Sequence, residues 1–346
     1  MSVSILSERL SKFPTVGLCT LPTPLTPLNN LSRYLGGPMI WEKREDMTGQ
    51  GMGGNKLRKL DRVLHRAIKL GADTLVSGGV VQSNSQRQVA AAAAILGLDC
   101  HLAVYHGRVT PPTSQYETSG NAFLNLLYGA ILHDRPWSGD RNGPVNKLAN
   151  DLQEKGRNPF VVPYGVSDEL GAVGYASAIV EIAEQSVRLG FEPTSVVHCT
   201  GSGATQAGLA IGAQTVLPEC NIIGIDIDAE PERVKADVIR YAQGGADLLC
   251  LPFSSGNIEV ISGHAGPAYG VPHAETLSAL QLAGRLEAMT LDPVYSAKGL
   301  AGLISLVKAG RWSRSDNVVF LNTGGVPSLF AYAESLNIQT QIPLRK

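Results

Sequence analysis

Short apolar runs rich in β-branched residues alternate along the chain with longer segments whose apolar residues recur at helical spacing. This alternation is typical of parallel sheets covered by helices on both faces, so it predicts an α/β fold. The predicted strands cover residues 39–43, 74–77, 100–105, 130–133, 160–163, 195–199, 222–226 and 318–321. The predicted helices cover residues 28–34, 57–70, 84–96, 114–128, 145–155, 170–189, 204–216, 231–243, 275–289, 300–310 and 328–336.

Two parts of the chain depart from this alternation. Residues 1–38 contain repeated prolines and are predicted to be largely irregular. Residues 244–272 are rich in Gly, Ser and Pro and are also predicted to be irregular. We expect a smaller α/β domain at 57–165 and a larger one formed by 1–56 and 166–346, with the active site between them.

The composition narrows the class of protein. The chain has 346 residues, 44% of them apolar, and a formal net charge of −1, so no basic face is expected to bind nucleic acid. Its five cysteines lack the spacing of a zinc site or a disulfide framework. No apolar run reaches the roughly 18 residues of a membrane span, and no secretory signal is visible. We therefore expect a cytoplasmic protein that binds no membrane and no metal.

One lysine has an unusual setting. Lys56 follows Gly53, Gly54 and Asn55 and opens a segment with helical periodicity. Glycines let another molecule approach the backbone closely, and a lysine amine can hold a cofactor aldehyde as a Schiff base. A solvated lysine at the start of a helix is the alternative that this stretch alone leaves open.

Two loops each join a predicted strand to a predicted helix. Residues 199–205 read Cys-Thr-Gly-Ser-Gly-Ala-Thr, and backbone N–H groups at such a helix start suit the phosphate of a compact monoester. Residues 82–87 read Gln-Ser-Asn-Ser-Gln-Arg and suit a carboxylate. The alternatives are a tight turn in the first loop and ordinary N-capping by Ser83 or Asn84 in the second.

Three further loops contain groups that a ligand can meet. Residues 266–272 and 291–298 contain Tyr269 and Tyr295, whose phenols can donate a proton or a hydrogen bond. Packing at a surface or an interface is the alternative for both tyrosines. Residues 322–327 run from a predicted strand into a Gly-Gly turn, where the backbone can approach a flat ligand.

These motifs together resemble the pyridoxal-phosphate enzymes of the tryptophan synthase β fold type. The resemblance is to the branch that holds 1-aminocyclopropane-1-carboxylate (ACC) deaminase, D-cysteine desulfhydrase and L-cysteate sulfo-lyase, and it runs over almost the whole chain. It rests on residues 21–25, 53–60, 82–84, 266–272, 292–295 and 324–325. It implies two open, twisted, mostly parallel sheets flanked by helices, pyridoxal 5′-phosphate as cofactor, a small amino acid as substrate, and a homodimer.

The resemblance also implies roles for individual residues. Lys56 would hold the cofactor and move protons, Asn84 would hydrogen-bond its 3′-oxygen, and Ser296 would meet its pyridine nitrogen. Ser83 and the N–H groups of the next three residues would hold the substrate carboxylate. The expected cofactor-binding residues are Lys56, Asn84, Gly201, Ser202, Gly203, Ala204, Thr205, Ser296 and Thr323. The expected catalytic residues are Lys56, Ser83, Tyr269 and Tyr295, and the expected substrate-binding residues are Ser83, Asn84, Ser85, Gln86, Tyr269 and Tyr295.

Two positions bear on the reaction. ACC deaminases of this family have a glutamate where this chain has Ser296, and a leucine where it has Thr323. The glutamate keeps the pyridine nitrogen protonated and the ring a deep electron sink, whereas the weaker sink beside a neutral serine suffices for β-elimination. The resemblance therefore implies a lyase that performs α,β-elimination, like D-cysteine desulfhydrase, which converts D-cysteine to pyruvate, ammonia and sulfide.

Other activities stay open at this point. ACC deaminase and L-cysteate sulfo-lyase-like activity are alternatives within the branch. A non-catalytic protein that binds a small amino acid or an anion is the alternative outside it. Ser85 stands where the eliminating relatives usually carry histidine and the deaminases glutamine, and residues 106–116 fit the branch poorly. Both features bear on the leaving group, so the sequence leaves the enantiomer and the leaving group open.

Overall fold

The structure, a computed structural model, describes residues 3–336. Over this range strands and helices alternate along the chain. The strands are β1 Leu25–Pro27, β2 Met39–Arg44, β3 Thr74–Val80, β4 Asp99–His106, β5 Ile131–Pro136, β6 Pro159–Val161, β7 Ser195–Thr200, β8 Asn221–Asp226, β9 Ile258–Ile261 and β10 Asn317–Asn322. The α-helices are α1 Val3–Ser11, α2 Asn29–Leu35, α3 Lys56–Lys69, α4 Asn84–Leu96, α5 Gly120–Leu127, α6 Gly143–Gln153, α7 Glu169–Leu189, α8 Ala204–Val216, α9 Pro231–Leu249, α10 Ala274–Glu287, α11 Ser296–Lys308 and α12 Val326–Ala331.

The strands form two separate sheets. The six-stranded sheet has the order β1-β2-β10-β7-β8-β9 and is parallel except for the antiparallel pair β1 and β2. The four-stranded sheet has the order β5-β4-β3-β6 and is parallel throughout. The predicted α/β fold with two mostly parallel sheets flanked by helices is confirmed.

Helices cover both faces of the six-stranded sheet, which explains why its central strands are apolar throughout. Val196 and Val319 pack with residues of α7 and α8 on one face. Their neighbours along the strands, Val197 and Phe320, pack with residues of α10 and α11 on the other face. Gly208 lets α8 approach α7 closely, because a Cβ there would meet the backbone of α7. The sheet core is therefore sealed on both sides, and ligands can reach only its strand ends.

The prediction was wrong in three places. Helix α1, with Leu6 and Leu10 buried, lies within the segment predicted to be irregular. Helix α9 continues to Leu249, and β9 then pairs with β8 at the sheet edge, so residues 244–272 are not irregular throughout. An edge strand needs only one partner, which lets four residues between polar loops form one. The helix predicted at 114–128 begins only at Gly120.

A buried ionic network holds helix α3 against the six-stranded sheet and α7. Arg58 donates two hydrogen bonds to Glu45, at 2.6 and 2.8 Å, and two more to Glu181, both at 2.8 Å. Lys43 donates to Glu181 at 2.6 Å. Burial alone would raise the pKa of Glu45, but the charge and hydrogen bonds of Arg58 outweigh it and lower that pKa to about 2. Since Arg58 lies two residues after Lys56, the network fixes the start of α3.

Within residues 3–336, none of the helices combines the length and the apolar character that crossing a lipid bilayer requires. In the same range, no group of three or more His, Cys, Asp or Glu side chains lies close enough together to hold a metal ion.

Candidate active site

A cleft lies where the carboxyl ends of strands from both sheets face each other, the usual ligand position in open α/β sheets. The loops after β3 and β6 border it from the four-stranded sheet, and the loops after β7 and β8 border it from the six-stranded sheet. The predicted site residues that line it are Lys56, Ser83, Asn84, Ser85, Gly201, Ser202, Gly203, Thr205, Tyr269 and Tyr295. Four others, Gln86, Ala204, Ser296 and Thr323, lie behind this lining.

The glycines before Lys56 are required by the backbone. Gly53 has a φ of +57°, and a Cβ there would collide with the carbonyl oxygen of Asp46. Gly54 has a φ of +116°, and a Cβ there would lie 2.6 Å from Gln88 Nε2. The tight turn delivers Lys56 as the first residue of α3, with its side chain in the cleft.

The amine of Lys56 is placed to act as a nucleophile. Its Nζ lies 2.9 Å from Asn55 Oδ1 and 5.9 Å from the centre of the Tyr295 ring. Burial lowers the pKa of Lys56, and the positive charge of Arg87 adds to the effect. A lowered pKa increases the neutral fraction of the amine, which is the form that attacks an aldehyde.

Other buried lysines of the described chain point elsewhere. Lys43 pairs with Glu181, Lys59 donates to the carbonyl of Gly165, and Lys298 donates to a carbonyl in the 262–272 loop. None of these three lysines lines the cleft. Lys56 is therefore the lysine best placed to hold a carbonyl compound there.

The loop from Gly201 to Thr205 forms an anion site at the start of α8. Gly203 precedes the helix with a φ of +93°, and both Gly203 and Thr205 line the cleft, so the first turn of α8, whose N–H groups have no partner within the helix, borders it. Thr205 Oγ1 accepts from Asn55 Nδ2 at 3.0 Å, which ties this loop to the neighbour of Lys56. The Thr200 hydroxyl is buried without a partner. These donors suit a phosphate group.

The loop at the start of α4 has an ordinary N-cap and also contributes side chains to the cleft. Ser83 is the N-cap of α4, and its Oγ accepts from the backbone N–H of Gln86 at 3.3 Å, so ordinary capping is present. Ser83 also lines the cleft, together with Asn84 and Ser85. The Ser85 hydroxyl is buried without a partner. The Gln86 side chain turns away and donates to the carbonyl of Ala103 at 2.9 Å.

Two tyrosines close the opposite wall. The hydroxyl oxygens of Tyr269 and Tyr295 hydrogen-bond directly, with ring centres 6.0 Å apart and the rings inclined at 69°. Burial raises the pKa of both phenols well above their usual range, so both keep their protons at neutral pH. Arg108 lies 4.0 Å from the centre of the Tyr269 ring and donates to Tyr164 Oη at 2.9 Å.

Ser296 and Thr323 lie in the layer behind the cleft. Ser296 Oγ donates to Asp292 Oδ1 at 2.6 Å and accepts from the Asp292 N–H at 2.8 Å. Thr323 Oγ1 lies 3.2 Å from Cys199 Sγ, and Cys199 itself lines the cleft. The hydroxyl hydrogen of Ser296 is therefore already used, and one oxygen lone pair remains.

Sequence reasoning missed several residues of the cleft, among them Tyr164 and Asp228. Tyr164 directly follows the strand predicted at 160–163, and Asp228 lies just beyond the one predicted at 222–226. The rule that ligands lie beyond the carboxyl ends of parallel strands was the available signal for both. Asp228 pairs with Arg108 at 3.1 Å. The two residues are far apart in the sequence, so no local pattern predicts this contact.

The residues present fit pyridoxal phosphate. Lys56 supplies the amine for its aldehyde, and the 201–205 loop supplies N–H and hydroxyl donors for its phosphate. The hydroxyls of Ser85 and Thr200 are buried and lack partners among residues 3–336, as expected for groups that a polar ligand completes. A Cβ at Gly325 would lie 2.6 Å from Asn84 Nδ2, so glycine keeps the space beside this amide open.

The sequence matches a known protein family. The family described as pyridoxal-phosphate dependent enzyme matches residues 17–324. The chain belongs to this family. The match includes Lys56, the 201–205 loop and both cleft tyrosines.

Similar members of the pyridoxal-phosphate dependent family are known at the level of sequence and structure. A D-cysteine desulfhydrase of Serratia proteamaculans (strain 568) is 40% identical over 327 residues, which cover 94% of this chain and 98% of that protein. One of Salmonella choleraesuis (strain SC-B67) is 38% identical over 325 residues, with the same coverage. A crystal structure described as an ACC deaminase homologue superposes with a TM-score of 0.86 at 31% identity, covering 96% of this chain and 98% of that one.

Proposed function

We propose that this pyridoxal-phosphate dependent enzyme is a lyase that performs α,β-elimination on a small β-substituted amino acid. Its reaction would be that of D-cysteine desulfhydrase: D-cysteine and water give pyruvate, ammonia and sulfide. The observation that carries the proposal is the placement in one cleft of the Lys56 amine and the protonated phenols of Tyr269 and Tyr295, with Lys56 Nζ 5.9 Å from the centre of the Tyr295 ring. Such a pairing supplies a base for one bond and an acid for the other. The 40% identity to a D-cysteine desulfhydrase over almost the full length supports the substrate.

The cleft residues would divide the binding between cofactor and substrate. Lys56 and the loop from Gly201 to Thr205 would hold the two ends of pyridoxal phosphate, with Asn84 beside the ring. Ser83 and the N–H groups at the start of α4 would hold the substrate carboxylate. The chemistry that pyridoxal phosphate supplies when bound is electron withdrawal from the substrate Cα, which acidifies its C–H bond.

The chain's own groups would move the protons. The free amine of Lys56 accepts the Cα proton, and the electron pair of that bond forms the Cα=Cβ double bond as the Cβ–S bond breaks. The Tyr269 and Tyr295 pair lies on the other wall and gives a proton to the departing sulfur. The released 2-aminoacrylate takes up water outside the cleft and yields pyruvate and ammonia. The proton on Lys56 then passes through solvent to the tyrosine that gave one up, so atoms and charges balance and both groups return to their starting forms.

Ser296 would face the pyridine nitrogen, as the resemblance implies. In the described structure its hydroxyl donates to Asp292 Oδ1, so it would turn from that carboxylate to donate to an unprotonated pyridine nitrogen. Thr323 would support the ring from behind through Cys199, since its Oγ1 contacts that thiol.

We also propose the organisation in which the enzyme works. The domain division at 57 and 165 is supported by the four-stranded sheet, whose strands all lie between Thr74 and Val161. A homodimer is supported by helix α5, which buries Asn121 and Asn125 and exposes Phe123, Leu126 and Leu127. Light scattering of the purified protein tests the dimer, and a monomer mass would contradict it. Free cysteines support a reducing compartment such as the cytoplasm, which cell fractionation would test.

ACC deaminase activity is the second candidate, because a solved relative at 31% identity is described as an ACC deaminase homologue. Its product would be 2-oxobutyrate with ammonia, without sulfide. The neutral Ser296 weighs against it, since a carboxylate at that position would be needed to keep the ring a deep electron sink.

A substrate panel tests the proposed function. The purified protein, loaded with pyridoxal phosphate, is incubated with D-cysteine, L-cysteine, L-cysteate and ACC, and pyruvate, sulfide, sulfite and 2-oxobutyrate are measured. We expect pyruvate and sulfide in equal amounts from D-cysteine. The matched control Lys56→Ala should give neither product.

Three outcomes would contradict the proposal. Pyruvate with sulfite from L-cysteate, at a higher rate than from D-cysteine, would make the enzyme a sulfo-lyase. 2-Oxobutyrate as the main product would make it an ACC deaminase. Binding of amino acids without any turnover would make it a non-catalytic binding protein.

A further inference from the structure

Arg87 is a buried cation without a counter-ion. Its side chain is 0% exposed, and within residues 3–336 no carboxylate forms an ion pair with it. Nε donates to Asn121 Oδ1 at 2.8 Å, and the other nitrogens donate to the carbonyls of Gly51 and Gly53. A buried charge is costly unless polar groups or a ligand offset it, so its retention here calls for a role.

Arg87 fixes the direction of the hydrogen bonds that reach Asn84. A guanidinium has only donors, so the Asn121 atom that meets it must be the carbonyl oxygen. The Asn121 amide nitrogen then donates to Asn84 Oδ1 at 2.7 Å and to the carbonyl of Gln82 at 3.0 Å. Neither amide can rotate without placing donor against donor. Asn84 Nδ2 donates one hydrogen bond, at 3.5 Å, to Asp292 Oδ2, and within residues 3–336 its second hydrogen has no partner.

The remaining hydrogen of Nδ2 belongs to a residue of the cleft. Asn84 lines it together with Lys56, and Gly325 leaves the space beside Nδ2 open. A chain of hydrogen bonds that begins at a buried cation polarises its last donor, which then favours a negatively charged acceptor. The same guanidinium also holds the carbonyls of Gly51 and Gly53, directly before Lys56. The buried guanidinium of Arg87 thus supports both the turn before Lys56 and, through Asn121, the amide of Asn84.

We propose that Arg87, acting through Asn121, is a positioning residue that holds Asn84 Nδ2 toward the cleft and so favours the ionised form of the ligand oxygen it meets. This rests on the proposed function, in which that oxygen is the 3′-oxygen of pyridoxal phosphate. Neither Arg87 nor Asn121 touches the cofactor in this account. Their effect is on the direction in which the Asn84 amide points.

The variant Asn121→Asp distinguishes the positioning of the Asn84 amide from a role of Arg87 and Asn121 in packing alone. The new carboxylate still accepts from Arg87, now as an ion pair, so the fold keeps its contact. It cannot donate to Asn84 Oδ1, so the Asn84 amide turns its nitrogen away from the cleft and its oxygen toward it. We expect the near-visible absorption of the bound cofactor, which reports an ionised 3′-oxygen, to fall about tenfold relative to the near-ultraviolet absorption at one fixed pH, the size expected for one lost hydrogen bond to a charged group.

Two further variants make the test specific. Asn125→Asp is the matched control, because it makes the same change one turn further along α5, on a side chain that has no hydrogen bond to Asn84 or Arg87 in the described structure. Its absorption ratio should equal that of the wild type. In an Asn84→Ser background, Asn121→Asp should cause no further change, because the effect passes through the Asn84 amide.

Each possible result of these experiments supports or overturns the inference about Arg87. An unchanged ratio in Asn121→Asp, with normal cofactor content, would overturn the inference alone. A change that persists in the Asn84→Ser background would also overturn it, because the effect would then be one of charge at a distance. If Asn121→Asp does not fold, Arg87→Met takes its place, because it removes the donors that hold the Asn121 carbonyl oxygen, and an unchanged ratio there has the same meaning. A wild-type protein that takes up no cofactor would overturn the proposed function as well.

Discussion

At the scale of single residues, the site depends on how burial shifts the pKa values of one amine and two phenols. Burial lowers the pKa of the Lys56 amine and raises the pKa of the Tyr269 and Tyr295 phenols. The low dielectric disfavours the charged form in each case, so the neutral fraction of the amine increases and the phenols keep their protons. Desolvation of the cleft alone therefore prepares a proton acceptor and a proton donor.

The tyrosine pair gives a prediction at this scale. Tyr295→Phe removes one hydroxyl of the pair and leaves the other phenol without its hydrogen-bond partner. We expect kcat for sulfide release to fall by about 10²- to 10⁴-fold, the usual contribution of a positioned acid, while cofactor content stays unchanged. Steady-state kinetics with D-cysteine measures this. Tyr34→Phe, at an exposed tyrosine, is the control. A kcat equal to that of the control would exclude the pair from proton transfer.

At the scale of elements, helix α3 is held at its first turn by charge rather than by apolar packing alone. Arg58 lies between Glu45, just after β2, and Glu181 on α7, and all three are largely buried. Removing one partner from such a network leaves an uncompensated charge inside the protein. The position of Lys56, two residues earlier, therefore depends on these ion pairs.

Glu45→Gln tests this anchoring. We expect it to lower the free energy of unfolding by about 3 kcal/mol at neutral pH, because Arg58 loses its paired charge. The pKa of Glu45 is lowered from 4.5 to about 2 in the fold, so its contribution is complete above pH 4.5 and is lost as the pH falls toward 2. The difference between variant and wild type should shrink over that range in urea unfolding.

The control for this experiment is Glu8→Gln, at an exposed ion pair with Lys12. Its effect should stay within about 0.5 kcal/mol at every pH. A Glu45→Gln difference that is equally small, or that does not change below pH 4.5, would show that the network does not anchor α3.

At the scale of the whole molecule, the parts predicted from sequence are those that local patterns encode. Repeated strands such as the one predicted at 318–321, flanked by helical segments, were sufficient to predict parallel sheets covered by helices, and the family resemblance implied that there are two sheets. Glycine-rich loops at strand ends were sufficient to locate the cleft residues around Lys56 and Gly201. Both signals arise within about ten residues of chain, where backbone geometry and residue type are directly linked.

The parts that were not predicted depend on contacts between distant segments. Arg87 and Asn121 are 34 residues apart and read separately as ordinary helix residues. Asp228 and Arg108 are 120 residues apart, and their pairing follows only once both sheets are in place. Strand β9 was missed because its four residues include Glu259 and depend on β8 for pairing. In each case the fold supplies the partner that the local sequence lacks.

The central claim is that Lys56 carries the cofactor that drives elimination. The most direct test loads the protein with pyridoxal phosphate, reduces it with borohydride so that the bond becomes permanent, and locates the modified lysine by tandem mass spectrometry of a digest. Lys59, one turn along α3, is the internal control, since its amine bonds to the Gly165 carbonyl outside the cleft. We expect modification at Lys56 and none at Lys59. Modification at Lys59 or another lysine, or at none, would contradict it.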